Sequence, residues 1–462
     1  MNKRFLGAVI CTALFCCSLL YNGCAKKKYA EQDARPSAVW VQEAVIYQVY
    51  LPSFSNEGTF KALESKIPEL KRLGVTIVSL MPIHPIGELN RRGKLGSPYA
   101  VKDFLAVNPE FGTLDDFQSL VKTTHKHGMK IIIDFVADHA AWDSQLLMEN
   151  PEWFVHNEEG AIVSPHPDWI DVAKIDYGQH EPRKYMIAVM KYWVKNIGVD
   201  GFRCSRADLV PTDFWEVARR ELDKIKTVVM ISEGALPEYH LAAFDLSDSW
   251  IVYNALAAIT NDRLSVSSIN DSLNVERSQF PRGSLHLNFI TTPEKSMEEG
   301  PAAERLSPAG AQAAAVLMFA FPGVPIIYNG EEIGSKKRLD LFNKTEIDWT
   351  KGSEMRRLYE RLGAQRSAHP SLRSGSYTAF TNSENKKVFT FLRSSGTDPV
   401  LAIISIAREK KEVHLTMPAG YSNVWKDELS STVLHTEDSL LNVPLEPFGY
   451  RMFVPGVEKE QQ

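Results

Sequence analysis

The side chains with the most chemistry in this chain stand singly, each just after a run that reads as a strand. Asp134 lies near the end of one such run with Asp138 and His139 just past it, Arg203 and Cys204 close a second, Glu233 follows a third and Glu294 a fourth. Carboxyl groups can exchange protons with a reacting molecule, and a guanidinium fork can hold a carboxylate in one orientation. Brought together, these groups would make an acid–base site. What would bring them together is the order of the strands.

From Ala44 onward, short β-rich runs alternate with helical patterns. Ala44–Tyr50 reads as a strand, Phe60, Leu63, Ile67 and Leu70 as one helix face, and Val75–Met81 as the next strand. Phe117, Leu120 and Val121 mark a second helix and Lys130–Val136 a third strand. Met186, Val189, Met190, Trp193, Val194 and Ile197 fall at i, i+3, i+4, i+7 spacing. Gly74, Gly128 and Gly198 each follow a helical stretch, where a left-handed cap is expected. Further strands are predicted at Val199–Cys204, Val228–Ser232, about Leu285–Ile290 and about Val324–Tyr328, with a weakly marked sixth near Trp250–Asn254. Continuous apolar strands separated by helices predict an α/β fold, a (β/α)8 barrel over residues 38–366. The polar residues above then all lie at C-terminal strand ends, the face on which such barrels carry their sites. Residues 140–177, rich in Pro, His and Trp, predict a small inserted loop domain. Its aromatic group Trp142, Trp153, Phe154 and Trp169 reads as a local core, one of whose members could line a site. After about Pro370 short β-rich runs continue with no further helix expected, predicting an antiparallel β-sandwich over 367–456.

Composition narrows the functional classes. With 44% hydrophobic and 24% charged residues and a net charge of −5, the chain is globular, and nucleic acid is not expected as a partner. Cys11, Cys16, Cys17 and Cys24 crowd the N-terminus and leave Cys204 alone beyond it, so no disulfide framework or cysteine zinc site is expected in the folded part. Lys3 and Arg4 precede an apolar run, Phe5–Leu20, shorter than the roughly 20 residues a spanning helix needs. Residues 1–24 therefore read as an export signal. Its end, Leu20-Tyr-Asn-Gly-Cys24, resembles a bacterial lipobox, which predicts a lipid on Cys24 as the contact with a membrane, on the periplasmic or the cell-surface face. Residues 25–37 read as a tether.

Several ordered motifs resemble the α-amylase family of glycoside hydrolases, glycoside hydrolase family 13, over roughly Ala44 to Tyr450. They are Gly96-Ser-Pro-Tyr-Ala-Val-Lys-Asp103, Asn108-Pro-Glu-Phe-Gly112, Asp134-Phe-Val-Ala-Asp-His139, Asp200-Gly-Phe-Arg-Cys204 and Pro322-Gly-Val-Pro-Ile-Ile-Tyr-Asn-Gly-Glu-Glu-Ile-Gly334. The short loop domain after His139 looks like that of the subgroup lacking the long calcium-binding insertion, so neither calcium nor another metal or cofactor is indicated. The resemblance implies retaining cleavage of α-glucans, in which one carboxylate attacks the anomeric carbon while a carboxylic acid protonates the leaving oxygen. Carried over by motif, the general acid falls on Glu233. Tyr99 becomes a stacking platform, His139 a hydroxyl partner and Arg203 the group that orients the nucleophile, with Asp134 beside it.

The departures matter as much. Two residues after Arg203, where the family pattern has the nucleophilic Asp, stands Ser205. A serine cannot supply the carboxylate that forms the glycosyl intermediate, and without a neighbouring base its hydroxyl is a poor nucleophile. The strand-seven Asn-His-Asp aligns with Thr292-Pro293-Glu294, which lacks the histidine and places a longer Glu at the stabilising position. Asp138 replaces the usual Asn. Asp208 as a stand-in nucleophile, or Glu294 activating a water in an inverting reaction, are minority alternatives. The expected function is a protein that binds α-glucan or malto-oligosaccharide at the cell envelope with hydrolysis lost or severely impaired. An active hydrolase or transglycosidase with an atypical site is one alternative, and an interaction scaffold without catalysis is another.

Overall fold

The apolar runs pair side by side into a closed parallel barrel. In the computed structural model, which describes residues 29–260, 263–418 and 420–456, its strands are β1 (Ile46–Val49), β2 (Ile77–Leu80), β3 (Lys130–Val136), β4 (Gly201–Ser205), β5 (Val229–Ser232), β6 (Leu246–Asp248), β7 (Leu285–Asn288) and β8 (Val324–Tyr328). They follow sequence order around the barrel, and β8 closes it by pairing with β1. Inside, Ile46, Ile77, Ile132, Val229, Ile231, Leu246, Leu287 and Val324 form one buried cluster.

The outer helices begin with α1 (Phe60–Arg72), which buries Phe60, Leu63, Ile67 and Leu70. Next, α2 (Leu114–Lys126) starts from a Thr113/Asp116 capping box. The expected apolar stripe lies on α3 (His180–Tyr192) and runs on through a π turn, Trp193–Ile197, ended by Gly198 at φ 96°.

Strand six lies four residues before its predicted place. Trp250–Asn254 is instead the start of α4 (Ile251–Thr260), where Val252, Ala255, Leu256 and Ile259 are buried at helical spacing. The β-branched and aromatic residues of that run suggest a strand by propensity, but packing decides. The true strand is three residues long and polar at two of them, which leaves almost no periodic signal.

The inserted segment is a small antiparallel pair, His139–Ala141 with Val172–Lys174, carrying a short helix at Gln145–Glu149. After α5 (Ser353–Ala368), the short helix Pro370–Ser374 intervenes where no further helix was expected; Pro370 sits in its first turn, where its missing N–H costs nothing. Eight strands then form a six-stranded antiparallel sheet facing a two-stranded one, Lys411–Thr416 with Leu440–Leu445. In that pair alternate residues Val413, Leu415, Leu441, Val443 and Leu445 point into a common core with Trp425 and Phe453. Arg366 ties the two domains by donating to the carbonyls of Gln42, Ala44, Gly323 and Leu372.

The end of the predicted tether is held to the barrel. Arg35 and Ser37 both donate to Asp245 at the N-terminal end of β6, and Ala34 N–H donates to the Arg282 carbonyl just before β7. The short helix Val39–Gln42 then places Val41 in the cluster inside the barrel. The export signal, Cys24 and residues 25–28 lie outside the described residues.

Candidate active site

Parallel register sets the centre of the site. Asp134 on β3 stands directly beside Arg203 on β4, and Val136 beside Ser205. Arg203 and Ser205, two residues apart, therefore face the same side of the strand. Glu233 follows directly after β5, and its backbone N–H donates to the Cys204 carbonyl, which fixes where its side chain begins.

Arg203 Nη1 lies 3.3 Å from Asp134 Oδ2 and 3.4 Å from Glu233 Oε2, and Nη2 lies 3.8 Å from Asp248 Oδ2 at the end of β6. Ser205 Oγ donates to the same Glu233 Oε2 at 2.9 Å, and the Arg206 N–H approaches it at 3.4 Å. Across the cleft Glu294 is held from two sides, accepting from the Tyr99 hydroxyl at 3.2 Å and the Thr292 hydroxyl at 3.1 Å. Thr292 also caps the short helix Pro293–Glu298, so the departure from the Asn-His-Asp pattern is built into a helix start.

Burial sets the protonation of the centre. Asp134 is pushed up to about 7 by burial, with Arg203 opposing and the charges of Glu233 and Glu294 adding. Asp248 is pushed up to about 7 by burial, again opposed by Arg203. Glu294 is raised by burial and by Glu233. For Arg203, burial works against the charge, but Glu233, Asp134 and Asp248 outweigh it and hold the guanidinium well above its ordinary value. Cys204 is a buried free thiol raised by burial, the state of a packed rather than a reactive cysteine.

These groups open onto a cleft of about 370 Å³ whose walls include Tyr99, His139, Trp169, Ser205, Glu233 and Glu294. Its aromatic walls and few convergent polar groups suit a sugar ring. His139 is less available than its motif suggests. Nδ1 faces Asp138 Oδ2 at 2.8 Å and Nε2 faces the Tyr99 carbonyl at 3.1 Å, so both nitrogens are engaged within the protein. Asp138 Oδ1 and Asp134 Oδ1 are buried without a hydrogen-bond partner. Among the described residues no group of three or more His, Cys, Asp or Glu side chains is placed to hold a metal ion.

The α-amylase catalytic-domain family matches residues 42–158, and the maltogenic-amylase C-terminal domain matches residues 378–452. The crystal structure of a noncanonic maltogenic α-amylase, AmyB from Thermotoga neapolitana, superposes with a TM-score of 0.83 at 29% identity, covering 90% of this chain and 100% of that one. The α-amylase MalA of Haloarcula japonica is 23% identical over 401 residues, 82% of this chain and 58% of its own length. An α-1,4-glucan:maltose-1-phosphate maltosyltransferase of Myxococcus xanthus is 25% identical over 437 residues, 87% of this chain and 64% of its own. This chain thus spans about six-tenths of the length of those two relatives. Residues 42–158 are similar to an α-amylase catalytic domain.

On this barrel the predicted residues Tyr99, Asp134, His139, Arg203, Ser205, Glu233 and Glu294 come together at one end. Asp208 pairs instead with Arg206 Nε at 3.5 Å. Sequence reasoning missed Asp248, because strand six was placed four residues late. It also missed Arg206, which sits in the left-handed region at φ 44° and lays its guanidinium 5.4 Å from the centre of the Trp169 ring. Of the four loop-domain aromatics, Phe154 is buried and Trp169 lines the cleft, so the group is both a core and a wall.

Proposed function

We propose that this protein binds α-glucan or malto-oligosaccharide in the α-amylase cleft at the envelope of a bacterial cell, tethered by lipid on Cys24, and that its retaining hydrolysis is lost or severely impaired. The observation that carries the second part is the Ser205 hydroxyl donating to Glu233 at 2.9 Å. The family pattern calls for an attacking carboxylate at position 205, facing the acid across the anomeric carbon. A serine supplies no carboxylate for that attack, and its hydroxyl instead donates to the carboxyl that should protonate the leaving group. Losing a nucleophile costs on the order of 10⁴–10⁶ in turnover in other hydrolases. Binding is supported by Tyr99 and Trp169 in the cleft wall.

One observation favours a second reading, an active enzyme with an atypical site: two carboxyls, Glu233 and Glu294, line the cleft, and burial raises Glu294, as acid catalysis uses. One experiment separates the two. Titrating the folded protein calorimetrically with maltoheptaose should give heat that disappears in Tyr99→Ala, with the sugar recovered uncut. Reducing ends released well above a buffer blank would favour the active enzyme. No heat at all would favour a scaffold that meets protein partners.

A further inference from the structure

We propose that Asp248 supplies, from strand six, the negative charge beside Arg203 that the glycosidase pattern places at position 205 of strand four. The charge of the site has been moved from one strand to another rather than lost. This deepens the reading above and rests on its premise that position 205 no longer acts as a carboxylate.

Three observations carry it. Leu246 belongs to the cluster inside the barrel, so Asp248, two residues on in the same strand, faces the same interior at its upper rim. Ser247 between them faces the other way, bonded to His240 and His286. Second, the two guanidinium nitrogens are divided: Nη1 serves Asp134 and Glu233, and Nη2 serves Asp248 at 3.8 Å. Third, the side chain of Asp248 is 9% exposed and that of Arg203 6%, so the attraction is little screened.

A fourth carboxylate around one guanidinium would meet the repulsion of three. Ser205→Asp by itself therefore does not rebuild the family's site, because the Asp248 carboxyl already lies beside Nη2. Asp248 is a positioning residue: it acts on the reacting centre through Arg203. The groups that face it are Arg203 on β4, Glu233 after β5 and Glu294 on the short helix Pro293–Glu298, with Asp134 on β3 sharing the same guanidinium.

The test is a cycle in the full chain of Ser205→Asp, Asp248→Asn and the double variant, with Ser205→Asn as a neutral control of similar size. Melting is followed at pH 5.5 and 8.0, and turnover of maltoheptaose is measured alongside. At pH 8.0 Ser205→Asp should lower the melting temperature by roughly 2–4 °C more in the native background than in Asp248→Asn. The difference should shrink at pH 5.5, where the carboxyls share protons, and Ser205→Asn should cost the same in both backgrounds. The double variant should cut maltoheptaose at least about tenfold faster than Ser205→Asp, a loss of about 1.4 kcal/mol of barrier. Additive melting shifts at pH 8.0, equal coupling with Ser205→Asn, or a double variant no faster than Ser205→Asp would each overturn the proposal. All of these readings compare variants with one another, so they stand whatever the unaltered protein does in the calorimeter.

Discussion

Arg203 is the residue on which the site's charge depends, because two buried carboxyls, Asp134 and Asp248, and the half-buried Glu233 share its guanidinium. Arg203→Met would keep most of the volume and leave those carboxyls without their counter-charge. At pH 8 the expected cost is about 3–5 kcal/mol of stability, the usual result of breaking a buried pair from one side. At pH 5 the cost should be clearly smaller, since Asp134 and Asp248, already at about 7 with the arginine present, can then take up protons. Denaturant unfolding at the two pH values reads the difference; equal losses would show that the guanidinium acts by packing alone. At this scale the sequence disclosed Arg203, Asp134 and Glu233 by type and strand-end position, and Ser205 by its place in a motif that resembles the family's. It could not disclose what engages His139, since one partner is the Tyr99 backbone carbonyl and a carbonyl has no letter in a sequence.

Elements were legible in proportion to their length and pattern. The α3 stripe and the seven-residue β3 carry enough periodic positions to be read with little ambiguity. Strand six has three residues and was displaced, and Asp248 was hidden with it. Contact between elements leaves a subtler trace. Gly201 opens β4 at φ 147°, and a Cβ built there would lie 1.9 Å from the Val229 carbonyl oxygen of β5. Gly201→Ala must therefore push apart the two strands that carry Arg203, Ser205 and the approach to Glu233. The expected loss exceeds about 4 kcal/mol, in the range reserved for backbone strain inside a core. A variant that melts within a few degrees of the parent would show that the barrel can shift at this point.

Across the whole molecule, several buried carboxyls make stability depend on pH in an unusual direction. Burial raises Asp134, Asp248 and Glu332 to about 7 and Glu331 to about 8. A carboxyl raised on folding contributes stability that is complete at low pH and lost as pH rises through its folded value. Buried His84, His240 and His286, lowered from 6.5, work in the opposite sense, but their effect is complete once pH passes that value. The melting temperature should therefore fall between about pH 6.5 and 8.5, and Glu331→Gln, which keeps an acceptor for the Tyr359 hydroxyl, should flatten the upper part of the fall. A melting temperature that rises across that window would contradict the assignment.

The contacts of Arg35 and Ser37 with Asp245 give the molecule an up and a down. They pin the incoming chain to the face opposite the cleft. Gln32, whose carbonyl accepts from the Arg282 N–H, lies eight residues after Cys24, a span of at most roughly 26–29 Å. With a lipid on Cys24 as proposed, the barrel would stand on the bilayer by its closed end and hold its mouth toward the medium. A long glucan could then be met end-on without bending back toward the membrane, and polymers too large to slip beneath the domain would remain within its reach.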